Sequence, residues 1–181
     1  MGRIEVRICG LGGQGVVLAG QILGRAAVYD GKNAVQTQSY GAEARGTTAK
    51  SEVIISDAPI GFPMVRKCDI LVAMSQEALN KNIKDLKDGG LLLIDGKMVE
   101  KLPRVNAKVY AVQATQIAEE TFKERIYANM VILGALNKLT NLVREESMEE
   151  AIKATVPVNT FAINLSAYKK GGELGASHLT I

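Results

Sequence analysis

Six residues near the start of the chain, Gly10-Leu11-Gly12-Gly13-Gln14-Gly15, carry the spacing G-x-G-x-x-G. They follow an alternating segment, RIEVRIC at 3–9, and precede apolar residues at helical spacing from Val16 onward. Strand, tight turn and helix in that order are the context that gives the spacing meaning. Glycines let the turn tighten and leave backbone N–H groups facing outward at a helix N-terminus, where the positive end of the helix dipole favours an anion. A phosphate or pyrophosphate suits such a cradle. A bound dinucleotide also asks for an acid at the end of the second strand to hold a ribose. That segment ends Gln36-Thr37-Gln38-Ser39-Tyr40, with no acid, and Asp30 precedes the strand, at the opposite end of the sheet. A glycine turn needed only for close strand–helix packing would use the same residues.

The second group with chemical capacity is Ser39-Tyr40-Gly41-Ala42-Glu43-Ala44-Arg45-Gly46-Thr47. Arg45 has the geometry to clamp a phosphate or carboxylate with two hydrogen bonds, and Glu43 to orient it or accept a proton. The same loop also reads as a solvated surface segment in which Glu43 and Arg45 satisfy each other. The remaining candidates are weaker. His178 lies in a polar stretch with nothing beside it to act as a partner, Asn129 opens a helical pattern as a capping residue would, and the acidic run at 145–150 reads as a solvated helix face. Met64, Met74, Met98, Met130 and Met148 are scattered and read as gap fillers.

The elements that must position these loops follow from periodicity. Strands are expected at 3–9, 33–38, 48–56, 70–74, 91–95 and 108–113. Helices are expected after Gly15, over QEALNKNIKDLK up to the Asp88-Gly89-Gly90 turn, and in four stretches after Ala114. A short helical turn is expected at 65–67, and Ser147 with Glu150 forms a capping box. Gly20 and Gly24 sit four apart in the first helix, which points to one face lying close against the sheet. Strands alternating with helices predict an α/β fold: a doubly wound, mostly parallel sheet with helices on both faces, Rossmann-like and in one domain. The second strand reaches the third through a loop too short for a usual parallel crossover. That predicts either a local antiparallel pairing or a loop wrapping the sheet's carboxyl edge. The domain is expected over 1–172, with Gly171-Gly172 ending the last helix and 173–181 a flexible tail.

Composition excludes more than it selects. The 181 residues are 47% hydrophobic and 23% charged, with no Trp and a net charge of +3. The 22 basic residues are interleaved with 19 acidic ones, so there is no nucleic-acid footprint. No apolar run has signal-peptide or membrane length, which predicts a cytoplasmic protein. Cys9 and Cys68 are too few for an iron–sulfur cluster or structural zinc and read as buried, reduced thiols. No metal site and no catalytic side chain is expected on this chain.

Taken together, GLGGQGVVLAG at 10–20 and SYGAEARGTTAKSEVIIS at 39–56 resemble the gamma subunit, or gamma domain, of the pyruvate/2-oxoglutarate:ferredoxin oxidoreductases. The likeness extends through DILVAMSQEAL, LLLIDG and YANMVILGAL, covering essentially the whole chain. What the resemblance implies is CoA-dependent oxidative decarboxylation of a 2-oxoacid to an acyl-CoA and carbon dioxide, with ferredoxin reduced. It leans to the 2-oxoglutarate type, with pyruvate or a branched-chain 2-oxoacid as alternatives. Thiamine diphosphate, magnesium and the iron–sulfur clusters are then expected on partner alpha, beta and ferredoxin-like subunits, with coenzyme A as co-substrate. By the same resemblance Gly10, Gly12, Gly13, Gln14 and Gly15, with Tyr40, Gly41, Glu43, Arg45 and Gly46, would line the cofactor cleft. An isolated domain with exposed apolar edges is expected to form a homodimer or a soluble oligomer rather than a clean monomer. A free-standing NAD-dependent enzyme and a nucleotide- or acyl-carrier-binding module are the other two classes the residues allow.

Overall fold

The computed structural model describes residues 2–41 and 47–179. Seven strands form one mixed sheet: β1 (Ile4–Leu11), β2 (Asn33–Tyr40), β3 (Thr48–Ser56), β4 (Cys68–Ala73), β5 (Leu86–Asp95), β6 (Ala107–Val112) and β7 (Ser177–Leu179). Their spatial order is β2-β3-β1-β4-β5-β6-β7. The central strands β1, β4, β5 and β6 run parallel to one another. β4 and the second half of β5 read as near-continuous Val, Ile and Leu because both faces are covered, whereas β1 and β6 alternate. Antiparallel partners flank them: β3 pairs with β1 and β2, and β7 with β6.

The ambiguous connection between the second and third strands resolves as the antiparallel pairing. β3 returns beside β2 in unbroken register, from Tyr40 opposite Ala49 to Asn33 opposite Ser56. It then takes the place next to β1. The crossover through α1 (Val16–Tyr29) therefore passes over one strand position, which β3 fills.

Alternation along β1 sends Val6 and Ile8 to one face and Arg7 and Cys9 to the other. The first face carries α1, α3 (Ala114–Phe122), α4 (Ala128–Thr140), α5 (Glu145–Thr155) and α6 (Phe161–Leu174) around the larger core. The second carries α2 (Gln76–Asn82) together with Val65, Val99, Leu102 and Val105 from the irregular connections. Helices thus lie on both faces, unevenly. Gly20 approaches the sheet as its spacing suggested: a Cβ there would lie 1.9 Å from Ser51 Oγ. α4 is buried on all sides from Ala128 to Asn137. It crosses α6 at Gly134 and Gly171, where each glycine faces a backbone carbonyl of the other helix.

On the second face Arg7 is 2% exposed. Its guanidinium donates to Glu52 at 2.7 Å, Asp85 at 2.5 Å, Asn82 at 3.3 Å and the Val65 carbonyl at 3.2 Å. A charge in that position is tolerated only because its donors are satisfied by carboxylates and amide oxygens.

Several local expectations give way to longer-range contacts. α2 passes into a single 3-10 turn at Ile83–Asp85 and the helical run ends there, three residues short of Asp88, because Leu86 already pairs with Cys68 in β5. The helical turn expected at 65–67 is an irregular connection. Ser147 lies inside α5, not at its cap, and donates to Asp30 across the molecule. Asn129 is the second residue of α4, not its cap. Residues 173–179 are no loose tail: α6 continues to Leu174, and β7 pairs with β6, setting His178 edge-on against Tyr110 with ring centroids 5.1 Å apart.

Candidate functional site at the carboxyl edge of the sheet

β1 and β4 are neighbours whose onward connections leave in opposite directions, α1 toward β2 and α2 toward β5. Ligands of open α/β sheets bind in the crevice outside the carboxyl ends of strands at such a switch point. A cleft of ≈ 340 Å³ lies there, lined by Leu11, Gly12, Gly13, Gln14, Met74 and Met98, with Thr115, Arg125, Ile126 and Ala128 on the far wall.

The residues of the glycine loop divide by role. Gly10 is the last buried position of β1, and a Cβ there would lie 2.6 Å from Gln14 Oε1 and 2.9 Å from Val16. Its bareness makes room for the Gln14 side chain. Gln14 accepts from Leu11 N at 2.6 Å and donates to the Met74 carbonyl at 2.9 Å, so it ties the loop after β1 to the end of β4. Both ends of its amide are taken by the protein itself. Gly15 (φ +71°) caps α1, and a Cβ there would strike Asn129 Nδ2 at 2.2 Å. That same Nδ2 donates to the Gly15 carbonyl at 3.2 Å, fixing the loop to α4. Only Gly12 and Gly13 are exposed. Gly13 (φ +91°) adopts a conformation that an L side chain would strain, and among the described residues nothing lies within 4 Å of where its Cβ would be.

The second loop meets the first through one backbone bond, Gly12 N to Thr47 O at 2.9 Å. Tyr40 and Gly41 stand at the same edge, Tyr40 62% exposed and Gly41 donating to the Thr48 carbonyl at 3.1 Å. Glu43, Arg45 and Gly46 lie outside the described residues.

The electrostatics favour an anion. α1 has no side-chain cap and no acidic residue in its first turn, so no carboxylate of its own answers the positive end of its dipole. On the far wall Arg125 shares the carboxylate of Glu119 with Lys97, so among the described ion pairs two cations meet one acid there.

Beneath the rim, Asp95 ends β5 fully buried and accepts from Thr115 N at 3.0 Å, Thr115 Oγ1 at 2.5 Å and Lys97 N at 3.2 Å. Burial pushes its pKa up although those hydrogen bonds pull the other way. It acts by position, holding the turn that carries Met98 and the first turn of α3. Cys9 and Cys68 face the second core, where burial raises their thiols to about 12 and about 11. They are protonated, and among the described residues no group of three or more His, Cys, Asp or Glu is placed to hold a metal ion. Among the described residues, two buried, protonated thiols do not make a donor set for a cluster or a metal ion.

Asp30 lies at the opposite end of α1 from the cleft and is engaged elsewhere. It accepts from Arg144 N and Nε, both at 2.9 Å, and from Ser147. Among the described residues, β2 itself (Asn33–Tyr40) carries no acid.

Sequence reasoning missed the far wall. Met74 sits one residue past β4, and Asp95 and Met98 close the end of β5, so their place at the carboxyl edge followed from the strand ends. Arg125 and Ile126 follow a helix–turn with no motif of its own.

Comparison with known proteins identifies this arrangement. Residues 5–174 match the family described as pyruvate ferredoxin/flavodoxin oxidoreductase. The chain belongs to that family. The family's relatives include a 2-oxoglutarate synthase subunit KorC from Methanocaldococcus jannaschii, 55% identical over 175 residues that cover 95% of this chain and 94% of the relative. Among solved structures, a keto/oxoacid ferredoxin oxidoreductase gamma subunit from Geobacter sulfurreducens is 46% identical with a TM-score of 0.84, covering 94% of this chain and 96% of that one. A 2-oxoglutarate:ferredoxin oxidoreductase from Magnetococcus marinus, with 2-oxoglutarate, coenzyme A and succinyl-CoA bound, is 26% identical with a TM-score of 0.86. This chain corresponds to 31% of that longer one and is itself covered over 96%.

Proposed function

We propose that this chain is the gamma subunit of a 2-oxoglutarate:ferredoxin oxidoreductase, and that its carboxyl-edge cleft receives coenzyme A where the chain meets its catalytic partners. The observation that carries the reading is the exposed Gly12-Gly13 backbone at an α1 N-terminus left without a carboxylate, opening on a cleft whose walls are mainly apolar. The backbone N–H groups of the loop would hold a phosphate, with Arg125 and Lys97 supplying charge across the cleft. Leu11, Met98 and Ile126 offer the apolar surface that suits the uncharged arm of coenzyme A. Gln14 and Asn129 hold the loop in shape before the ligand arrives, so its ordering costs less on binding. When bound, coenzyme A supplies the thiol that accepts the acyl group.

The decarboxylation itself belongs to partner alpha, beta and ferredoxin-like subunits that carry thiamine diphosphate, magnesium and iron–sulfur clusters. A cytoplasmic location fits this role; among the described residues no helix is long and apolar enough to cross a membrane. The dinucleotide reading finds no support, since Asp30 is bound to α5. Glu43, Arg45 and Gly46 are proposed to complete the ligand's surroundings together with Tyr40 and Gly41.

The test is the assembled complex, purified without oxygen and assayed with 2-oxoglutarate, pyruvate and branched 2-oxoacids. Gly12→Asp adds a carboxylate where, among the described residues, the nearest neighbour of the new Cβ is the Thr47 carbonyl at 3.6 Å, an ordinary contact. We expect the KM for coenzyme A to rise by about tenfold or more, because a like charge faces the phosphate, while the KM for 2-oxoglutarate stays level. An unchanged KM for coenzyme A sinks the cleft assignment. A preference for pyruvate over 2-oxoglutarate sinks the substrate assignment alone.

A further inference from the structure

β2 forms one outer edge of the sheet and pairs only with β3. Its eight residues, NAVQTQSY, include no charged residue and no proline, and its register with β3 shows no bulge. Natural proteins protect exposed edges with lysines, prolines, bulges, very short strands or a covering segment. At the opposite edge the fold uses the last two devices: β7 covers β6 and is only three residues long. Nothing comparable guards β2 among the described residues. Beside it runs an open hollow of ≈ 850 Å³ lined by Gln21, Gly24, Arg25, Val28, Tyr29 and Ala34 with neighbouring groups, and Val28 and Tyr29 are 54% and 42% exposed.

We propose that β2 is an interface between two copies of this chain, joined antiparallel about a twofold axis so that two seven-stranded sheets become one. This goes beyond the functional reading and does not depend on it. A second copy is the occupant that fits for two reasons. It supplies a bare strand of the same length, so one isologous contact removes both exposed edges at once. The surface at the axis is also neutral and compatible with its own image. Gln36 and Thr37 lie at the centre of the strand, and the added Cβ positions of Gly20 and Gly24 fall 3.3 and 3.9 Å from Gln36. The α1 residue at that level is therefore the uncharged Gln21, with Arg25 about a turn away and already donating to the Ala154 carbonyl at 2.5 Å. On the α1 side no like charges meet at the axis, on the other side the Glu52 carboxylate beside Thr37 is paired with Arg7 and Lys50, and Thr–Thr or Gln–Gln pairs across the axis are favourable.

The experiment is sedimentation velocity of the full chain over a concentration series, alongside Gln38→Lys and a control, Gln116→Lys, on the exposed side of α3. Gln38 is exposed, so a lysine there places like charges across the proposed pair without touching the core. The expected result is a dimer whose dissociation constant rises about tenfold or more in Gln38→Lys and is unchanged in the control. Thr37→Cys and Gln36→Cys, tested separately under mild oxidation, should yield a disulfide-linked dimer from whichever residue sits on the axis, because paired residues of adjacent strands lie within bridging distance. A chain that stays monomeric at high concentration overturns the proposal. So does a dimer insensitive to Gln38→Lys, which places the contact on another face. A monomer whose Gln38→Lys variant alone fails to assemble with the partner subunits assigns the edge to a partner's strand instead.

Discussion

Replacing Arg7 by Met keeps most of the buried stem and removes the charge on which four groups converge. Burial opposes the charged form of Arg7, and the carboxylates of Asp85 and Glu52 outweigh it, so its pKa lies above the usual value. Breaking one side of a buried ion pair costs about 3–5 kcal/mol, because the other side is left unpaired. Two features place this site at the lower end. The Asp85 side chain is 32% exposed and can turn toward water, and Glu52 keeps weaker contacts with Lys50 and Thr37, both at 3.4 Å. About 3 kcal/mol is therefore expected, which in a chain of this size lowers the melting temperature by about 6–12 °C. The assay is thermal unfolding at neutral pH of the wild type, Arg7→Met, Glu52→Gln and the double variant. The double variant should recover about 1–3 kcal/mol relative to the sum of the two single changes, since no carboxylate is then stranded at position 52. An Arg7→Met protein melting within about 2 °C of the wild type, or strictly additive variants, would refute the reasoning.

Two further outcomes follow from packing and from ionisation. A Cβ at Gly134 would lie 1.9 Å from the Tyr168 carbonyl oxygen, so Gly134→Ala must push α4 from α6. We expect a loss of about 2–3 kcal/mol by denaturant unfolding, and a loss under about 0.5 kcal/mol would mean the helices separate freely. Burial by itself raises the Asp30 pKa, but hydrogen bonds from Ser147 and Arg144 outweigh it and set the carboxyl below its usual range. A carboxyl depressed on folding contributes stability above its unfolded value of about 3.9, and that contribution fades as pH falls through the lower folded value. Asp30→Asn should thus cost about 2 kcal/mol at pH 7, and the gap to the wild type should narrow below pH ~4; a gap that is constant with pH would count against it.

The central strands were legible because buried parallel strands write themselves as apolar runs: 70–74 and 91–95 needed only their composition. The glycine loop was legible for a similar reason, since its meaning depends on neighbours within a few residues. What escaped prediction was set by partners far along the chain. Leu86 and Lys87 continue a helical pattern, yet Leu86 is claimed by Cys68 as a strand partner. Ser147 and Glu150 match a local capping signature, but Ser147 is used by Asp30, 117 residues earlier. Gln14 reads as one more polar group in a ligand loop until its amide is seen bound to Leu11 and to Met74, 60 residues on. Strand order is of the same kind. A short loop implied that the second and third strands pair, but only the whole sheet decides which of them lies beside β1.

That order has a consequence for how the N-terminal part can come into being. In a sheet where a crossover joins adjacent strands, strand, helix and strand can close on one another as soon as they are made. Here β1 and β2 are two strand spacings apart, about 10 Å, and no hydrogen bond spans that distance. Until residues 48–56 emerge and slide between them, α1 has two strands to cover and no sheet beneath it. The first 47 residues are therefore an incomplete piece, one that cannot be excised, grafted or expected to bind a phosphate by itself, although they hold every glycine of the loop.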